Sequence, residues 1–172
     1  MKNSNRYSKE SKCPDLDFIS LSFSLFLTIP GIGTFEVEGS RSGGDLLTSG
    51  GTDSVQTGSG FFQVPSQEFA TNVTMNIRNR SGDSINLSGA NSNAASLTIY
   101  RIDRNEDPTI RGNFIAYTSQ TVENEENIRF NQVISETSLQ TRVNDGSPRI
   151  DVIPLGNPGI YYYIYELTVT SP

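Results

Sequence analysis

Residues 19 to 29, ISLSFSLFLTI, set Ile19, Leu21, Phe23, Leu25, Leu27 and Ile29 against Ser20, Ser22, Ser24, Phe26 and Thr28. Successive side chains of a strand point to opposite faces, so this period of two predicts a strand with one buried face. The run lies where an export signal would lie. A signal core, however, is a helix that is apolar all round and follows positive charge, whereas Asp15 and Asp17 stand directly before this run. It is also well short of the ~20 residues that a helix needs to cross a bilayer. The expectation is a structural strand, with the residues before it retained.

The same period continues along the chain. TFEVE (34–38) alternates Phe35 and Val37 with Glu36 and Glu38, and Pro30-Gly31-Ile32-Gly33 makes it a hairpin partner of the first strand. Residues 39–60 hold seven glycines and no sustained pattern, which reads as a long, partly mobile loop. Then follow FFQV, TNVTMNIRN with Val73, Met75 and Ile77 on one face, SINL, SLTIYRI, GNFIAYTS, NIRFNQVI, SLQTRV, RIDVI and GIYYYIYELTVT. Turn formers separate them: Ser81-Gly82-Asp83, Asn91 to Asn93, Asn105 to Pro108, Asn144-Asp145-Gly146 and Asn157-Pro158-Gly159. Roughly nine or ten short strands and no helical period predict an all-β chain, a single β-sandwich or jelly roll.

Composition then divides the chain in two. All three lysines, Lys2, Lys9 and Lys12, and the one cysteine, Cys13, fall in the first thirteen residues, and the chain has no His or Trp. Residues 1–18 are polar, mixed in charge and without periodicity, which predicts a flexible N-terminal arm before a sandwich domain of residues 19–172. Fully extended, such an arm spans roughly 60 Å. A chain of 172 residues suits one domain, and an apolar fraction of 34% suits a thin core. The net charge of −6, with no cluster of Lys and Arg, argues against nucleic acid or an anionic membrane as partner.

The inventory is also poor in catalytic groups. Ser-His-Asp and Cys-His chemistry need a histidine, a Schiff base needs a sheltered lysine, and tetrahedral zinc needs His or Cys. From residue 18 onward none of these residue types occurs. A carboxylate pair of the glycosidase kind remains. Glu123, Glu125 and Glu126 crowd one polar turn, and Glu166, the single acid of the last strand, is expected to face solvent. The expectation is no enzyme and no cofactor. DRNED (103–107) places Asp103, Asn105 and Asp107 at the alternate positions that open a calcium loop, but Pro108 and Phe114 stand where an EF-hand needs Gly and Glu. A looser calcium loop competes with an acidic turn. The triplets beginning at Asn72, Asn79 and Asn86 match the glycosylation pattern, which chance supplies in a chain this rich in Asn, Ser and Thr.

In GIYYYIYELTVT, Tyr161, Tyr163, Tyr165, Leu167 and Val169 share one face, as a central core strand requires. PGIYYYIYEL resembles a strand of C1q- and TNF-like jelly rolls, which implies a trimeric binding or adhesive head using the glycine-rich stretch 39–60 as its variable surface. The whole layout, a polar Cys-bearing arm before one Ser/Thr/Asn-rich sandwich poor in Lys and His, resembles the spore-surface proteins of Bacillus and relatives, the exosporium sandwich proteins and endospore appendage subunits. That resemblance implies a structural subunit of a spore-surface or other extracellular layer or fibre. Its partners are copies of itself and other surface-layer proteins, and the arm, with Cys13, lies on a neighbour. The residues assigned to assembly are Cys13, Ile19, Leu21, Phe23 and Leu25. A virion structural protein is a third reading.

Overall fold

A computed structural model describes residues 17–48, 53–64, 73–89, 93–102, 109–136, 150–155 and 158–170. Among them run twelve strands and no helix. In chain order these are β1 (Phe18–Ile29), β2 (Gly33–Glu36), β3 (Ser42–Leu47), β4 (Asp53–Val64), β5 (Val73–Asn79), β6 (Ile85–Leu87), β7 (Ala95–Ile102), β8 (Thr109–Ala116), β9 (Gln120–Val122), β10 (Gln132–Glu136), β11 (Ile153–Leu155) and β12 (Gly159–Thr170). All pair antiparallel, in two sheets that pack face to face as a β-sandwich.

The first sheet is built on β1. β5 lies along one side of it, with β11 beyond, and β3 and β2 follow one another along the other side. The second is built on β12. β4 pairs with all twelve of its residues on one side, and β7 and β6 share the other, continuing to β8 and β10 and to β9. The core is the sum of the two inner faces. Leu21, Phe23, Leu25 and Leu27 of β1 and Val73, Met75 and Ile77 of β5 meet Tyr161, Tyr163, Tyr165, Leu167 and Val169 of β12 in one buried cluster. Burying each of these aliphatic or Phe side chains contributes roughly 1.5–3 kcal/mol.

The predicted β1–β2 hairpin forms, closed by a bond from Ile32 N to Ile29 O at 3.1 Å and by Gly31 at a φ of 77°, a left-handed turn position that glycine enters without steric cost. The outer side of β1 is more covered than period two alone suggests. Ser24 is buried and its hydroxyl donates to Glu36 at 2.8 Å, and Phe26 lies under the Arg78 guanidinium, 4.5 Å from its ring centre, with Arg80 at 5.7 Å. The Ser24 bond is the leading reason that the Glu36 carboxyl is held below its ordinary pKa, with Arg41 adding to it.

The structure departs from three expectations. Residues 39–60 are not a long loop, because β3 and most of β4 occupy them. Their glycines mark close approach: a Cβ on Gly43 would lie 2.0 Å from the Leu21 carbonyl oxygen, and one on Gly58 would lie 2.3 Å from the Tyr165 ring. The arm boundary moves as well. Phe18 opens β1, and the Asp17 carbonyl accepts from Thr48 N at 3.0 Å and from Thr48 Oγ1 at 2.8 Å, so both residues belong to the sheet. NIRFNQVI forms a strand only from Gln132; before it, Asn127 and Phe130 make single bridges to Arg78 and Ile150. SLQTRV lies outside the described residues.

Candidate functional site

Because β12 turns its odd-numbered residues into the core, its even-numbered ones line the outer face of the second sheet, and the first three of these, Ile160, Tyr162 and Ile164, are apolar too. The register sets Phe61 of β4 and Tyr100 of β7 on either side of Tyr162, and Ile102 beside Ile160. The result is an aromatic row across three strands. Phe61 and Tyr162 rings are 4.7 Å apart and tilted by 38°, and Tyr162 and Tyr100 are 6.2 Å apart and tilted by 34°. Phe61 stands proud at 62% exposure, and Ile160 and Ile164 are 44% and 41% exposed. Phe61, Tyr100, Ile102, Tyr162 and Ile164 enclose an open depression of about 280 Å³. Around it the neighbours on the same strands are uncharged: Ser59 and Thr98 flank Ile164, and Gln63 flanks Ile160. The charged residues on this face of the three strands are Glu166 and, at the far end of β4, Asp53.

Beside this face runs an edge. Among the described residues β4 is hydrogen-bonded to a strand on one side only, by β12. Its twelve residues, DSVQTGSGFFQV, hold no Lys, Arg or Pro and a single acid. Natural sheets usually blunt a long edge with such residues, because its row of unpaired N–H and C=O groups is a template for another chain.

No family model, no curated protein and no solved structure matches this chain. The functional reading therefore rests on the residues themselves.

Of the residues assigned to assembly, Leu21, Phe23 and Leu25 are buried in the chain's own core, so their side chains offer no surface to a neighbour, while Ile19 packs against that core and is partly buried. From Phe23 onward their strand is also flanked on both sides, by β5 and by the end of β3 followed by β2, whereas Phe18 to Leu21 pair with β3 alone among the described residues. Cys13 and the candidate calcium ligands Asp103, Asn105 and Asp107 lie outside the described residues. The acids of the 123–126 turn are engaged in ion pairs, Glu125 with Arg80 at 2.6 Å and Glu126 with Arg129, while Glu123 is exposed. Glu166 projects to solvent between Thr57 and Ser96. Among the described residues no three His, Cys, Asp or Glu side chains gather as a metal cluster would. Asn79 is fully buried and its amide donates to the carbonyls of Asp83 at 2.8 Å and Val122 at 3.0 Å, which removes it as a glycan acceptor. Asn86 accepts from Thr121 Oγ1 at 2.8 Å.

The buried polar feature that sequence reasoning missed lies between the sheets. Tyr165 Oη shares a 2.5 Å hydrogen bond with Ser42 Oγ and donates to the Ser40 carbonyl at 3.3 Å, while Ser40 Oγ is tied to Leu25 N at 3.0 Å. These bonds clasp β12 to the β2–β3 side of the opposite sheet. Burial pushes the Tyr165 phenol above its ordinary range and takes Tyr163, stacked on it at 6.2 Å, up to about 12, with the Tyr165 charge as a lesser contribution to the latter. Both hydroxyls are therefore neutral, structural groups at any physiological pH. A signal for the outer aromatic row was present, since FF and YYYIY put large residues on both parities, but only the odd parity matched the expected core.

Proposed function

We propose that this chain is a self-assembling structural subunit of a spore-surface or other extracellular layer or fibre, joined through its N-terminal arm. The observation that carries the reading is the edge of β4: twelve residues of extended backbone, paired on one side among the described residues, with no proline and with Asp53 as the single charge to discourage strand addition. An arm rooted near this edge is supported by Asp17, the first described residue, which is bonded to Thr48 at the end of β3, a few positions in sequence before β4 begins at Asp53. Charge favours docking of the arm on the acidic body of this chain, its own or a neighbour's. Residues 1–12 carry Lys2, Arg6, Lys9 and Lys12 against Glu10, while the chain as a whole is at −6. An arm added to an edge takes affinity from main-chain hydrogen bonds and register from alternate side chains. Since the side chains of Leu21, Phe23 and Leu25 face inward, β4 suits the receiving role better than β1 does.

Electron microscopy of the purified protein tests this directly. The full chain should form polymers, and deletion of residues 2–17 should leave a folded β-protein that does not. A truncated chain that polymerises as well as the full one rules out the arm. Cys13→Ser is a finer cut, because a thiol in an oxidising setting pairs between molecules: its polymers should persist but dissolve at lower denaturant.

A further inference from the structure

We infer that the outer aromatic face of β4, β12 and β7 is a second contact surface, independent of the arm, on which two copies of this chain pair face to face. Its apolar centre consists of three prominent side chains, Phe61, Ile160 and Ile164, with the Tyr162 and Tyr100 rings between them. Together these expose roughly 300–400 Å² of apolar surface, the size of the largest patch on a typical monomer, which is often functional. A stable interface buries about 800 Å² per partner, with an apolar centre and a polar rim. Ser59, Thr98, Thr57 and Gln63 supply that rim without charge.

The occupant is narrowed by size and by charge. The depression, at about 280 Å³ and lined by apolar side chains, is small for a drug-sized ligand and lacks the converging polar groups that would orient one. It does suit one protruding aromatic side chain, and the face itself supplies one in Phe61. A chain of net charge −6 repels its own copies over most of its surface, so self-pairing favours the face where acids are sparse, whereas a basic partner would be drawn elsewhere. A two-fold axis running parallel to β12 sets Phe61 of each copy over the Tyr100–Ile102 side of the other, so each fills the depression of its mate. The same axis brings the two Glu166 side chains together at one end of the interface, where their like charges oppose pairing.

Sedimentation equilibrium of the full chain tests this. The wild type should show a monomer–dimer equilibrium, or, where the arm polymerises it, filaments with twice the mass per unit length of a single strand. Phe61→Asp should weaken pairing at least 100-fold, or halve the filament mass per length with filaments still present. Ile164→Asp, on the adjacent row, should do the same, which guards against a local folding defect at position 61. Glu166→Gln should tighten pairing several-fold. Val55→Asp, an equally exposed apolar position about 20 Å along β4 from Phe61, should change it less than tenfold. A wild type that is monomeric at high concentration, or that forms filaments with the mass per length of a single strand, overturns the pairing, as does a Phe61→Asp protein of native circular dichroism that pairs as before. Filaments lost on deleting residues 2–17 while dimers persist would leave this inference standing and bear only on the arm.

Discussion

Replacing Gly58 by alanine should destabilise the protein far more than one methyl group in an extended strand ordinarily would. The added Cβ would lie 2.3 Å from Tyr165 Cζ and 2.5 Å from both Cε1 and Oη, distances at which the ring must move. It has little room to do so. Tyr165 is fully buried, stacks on Tyr163 at 6.2 Å and 7°, and is bonded through its hydroxyl to Ser42 and to the Ser40 carbonyl. Overpacking costs about 1–3 kcal/mol, and a displaced hydroxyl forfeits a further ~1 kcal/mol for the hydrogen bond with Ser42. The entropy that alanine removes from the unfolded chain offsets about 0.4–1 kcal/mol. The net expectation is a loss of about 1–3.5 kcal/mol, which in a chain of this length lowers Tm by roughly 2–14 °C. Gly44→Ala is the control, for a Cβ there meets only Gln56 side-chain atoms at 3.7 Å, and its stability should stay close to wild type. Urea denaturation followed by far-UV circular dichroism gives both values. If Gly58→Ala proves as stable as Gly44→Ala, the ring does not lie against β4 and the clasp between the sheets is misassigned.

Other consequences can be measured on the same preparation. Asn79→Ala strands the Asp83 and Val122 carbonyls and the Ser81 amide, all now bonded to that side chain, and should cost about 2–3 kcal/mol in urea denaturation. Tyr163 and Tyr165 bind their protons more tightly folded than unfolded, so the stability they contribute is complete below pH ~10, the unfolded value. It should fall as pH rises from there through about 12, the folded value of Tyr163. Absorbance at 295 nm should show two phenols ionising only as the fold is lost, and Tyr163→Phe should shift the alkaline midpoint upward. Ser42→Ala should lower stability by about 1 kcal/mol and, in a double-mutant cycle, show coupling to Tyr165→Phe but not to Asn79→Ala.

Much of the fold was legible because it rests on period two. Val73, Met75 and Ile77, the odd residues of β12, and the alternate residues of β1 are buried as their spacing predicts. What failed was the meaning of glycine. Within residues 39–60 a local window reads it as a breaker of structure, whereas Gly43 lets β3 approach the Leu21 carbonyl, and Gly58 and Gly60 make room for Tyr165 and Tyr163 from the neighbouring strand. That distinction depends on a partner more than a hundred residues away in the case of the tyrosines, so no local window holds it. The loss of this loop also takes from the C1q-like reading the variable surface it was given. The Ile19 to Leu25 run misleads in another way: hydrophobicity near an arm suggests a contact between molecules, and the structure uses it for the contact between sheets. The outer aromatic row was readable in principle, but nothing in one sequence separates a second buried face from an exposed one.

The two guanidiniums over Phe26 bear on the shape of anything this protein builds. On the first sheet, Arg78 and Arg80 cover the one large apolar side chain buried on the outer side of β1, and the serines, Asn76 and Glu36 around it are wetted or paired. Around Phe26 that side is covered, and Phe18, at the start of β1, is the exposed large apolar side chain of that strand. The opposite side carries the exposed aromatic row, and if it pairs as inferred above, such a brick stacks once and stops, because the contact consumes the surface that made it. An arm on the next subunit's edge behaves otherwise, since each addition leaves another edge and another arm. A closed contact and an open one on the same brick would yield a ribbon two subunits thick and unlimited in length, with the first sheet of each subunit facing outward.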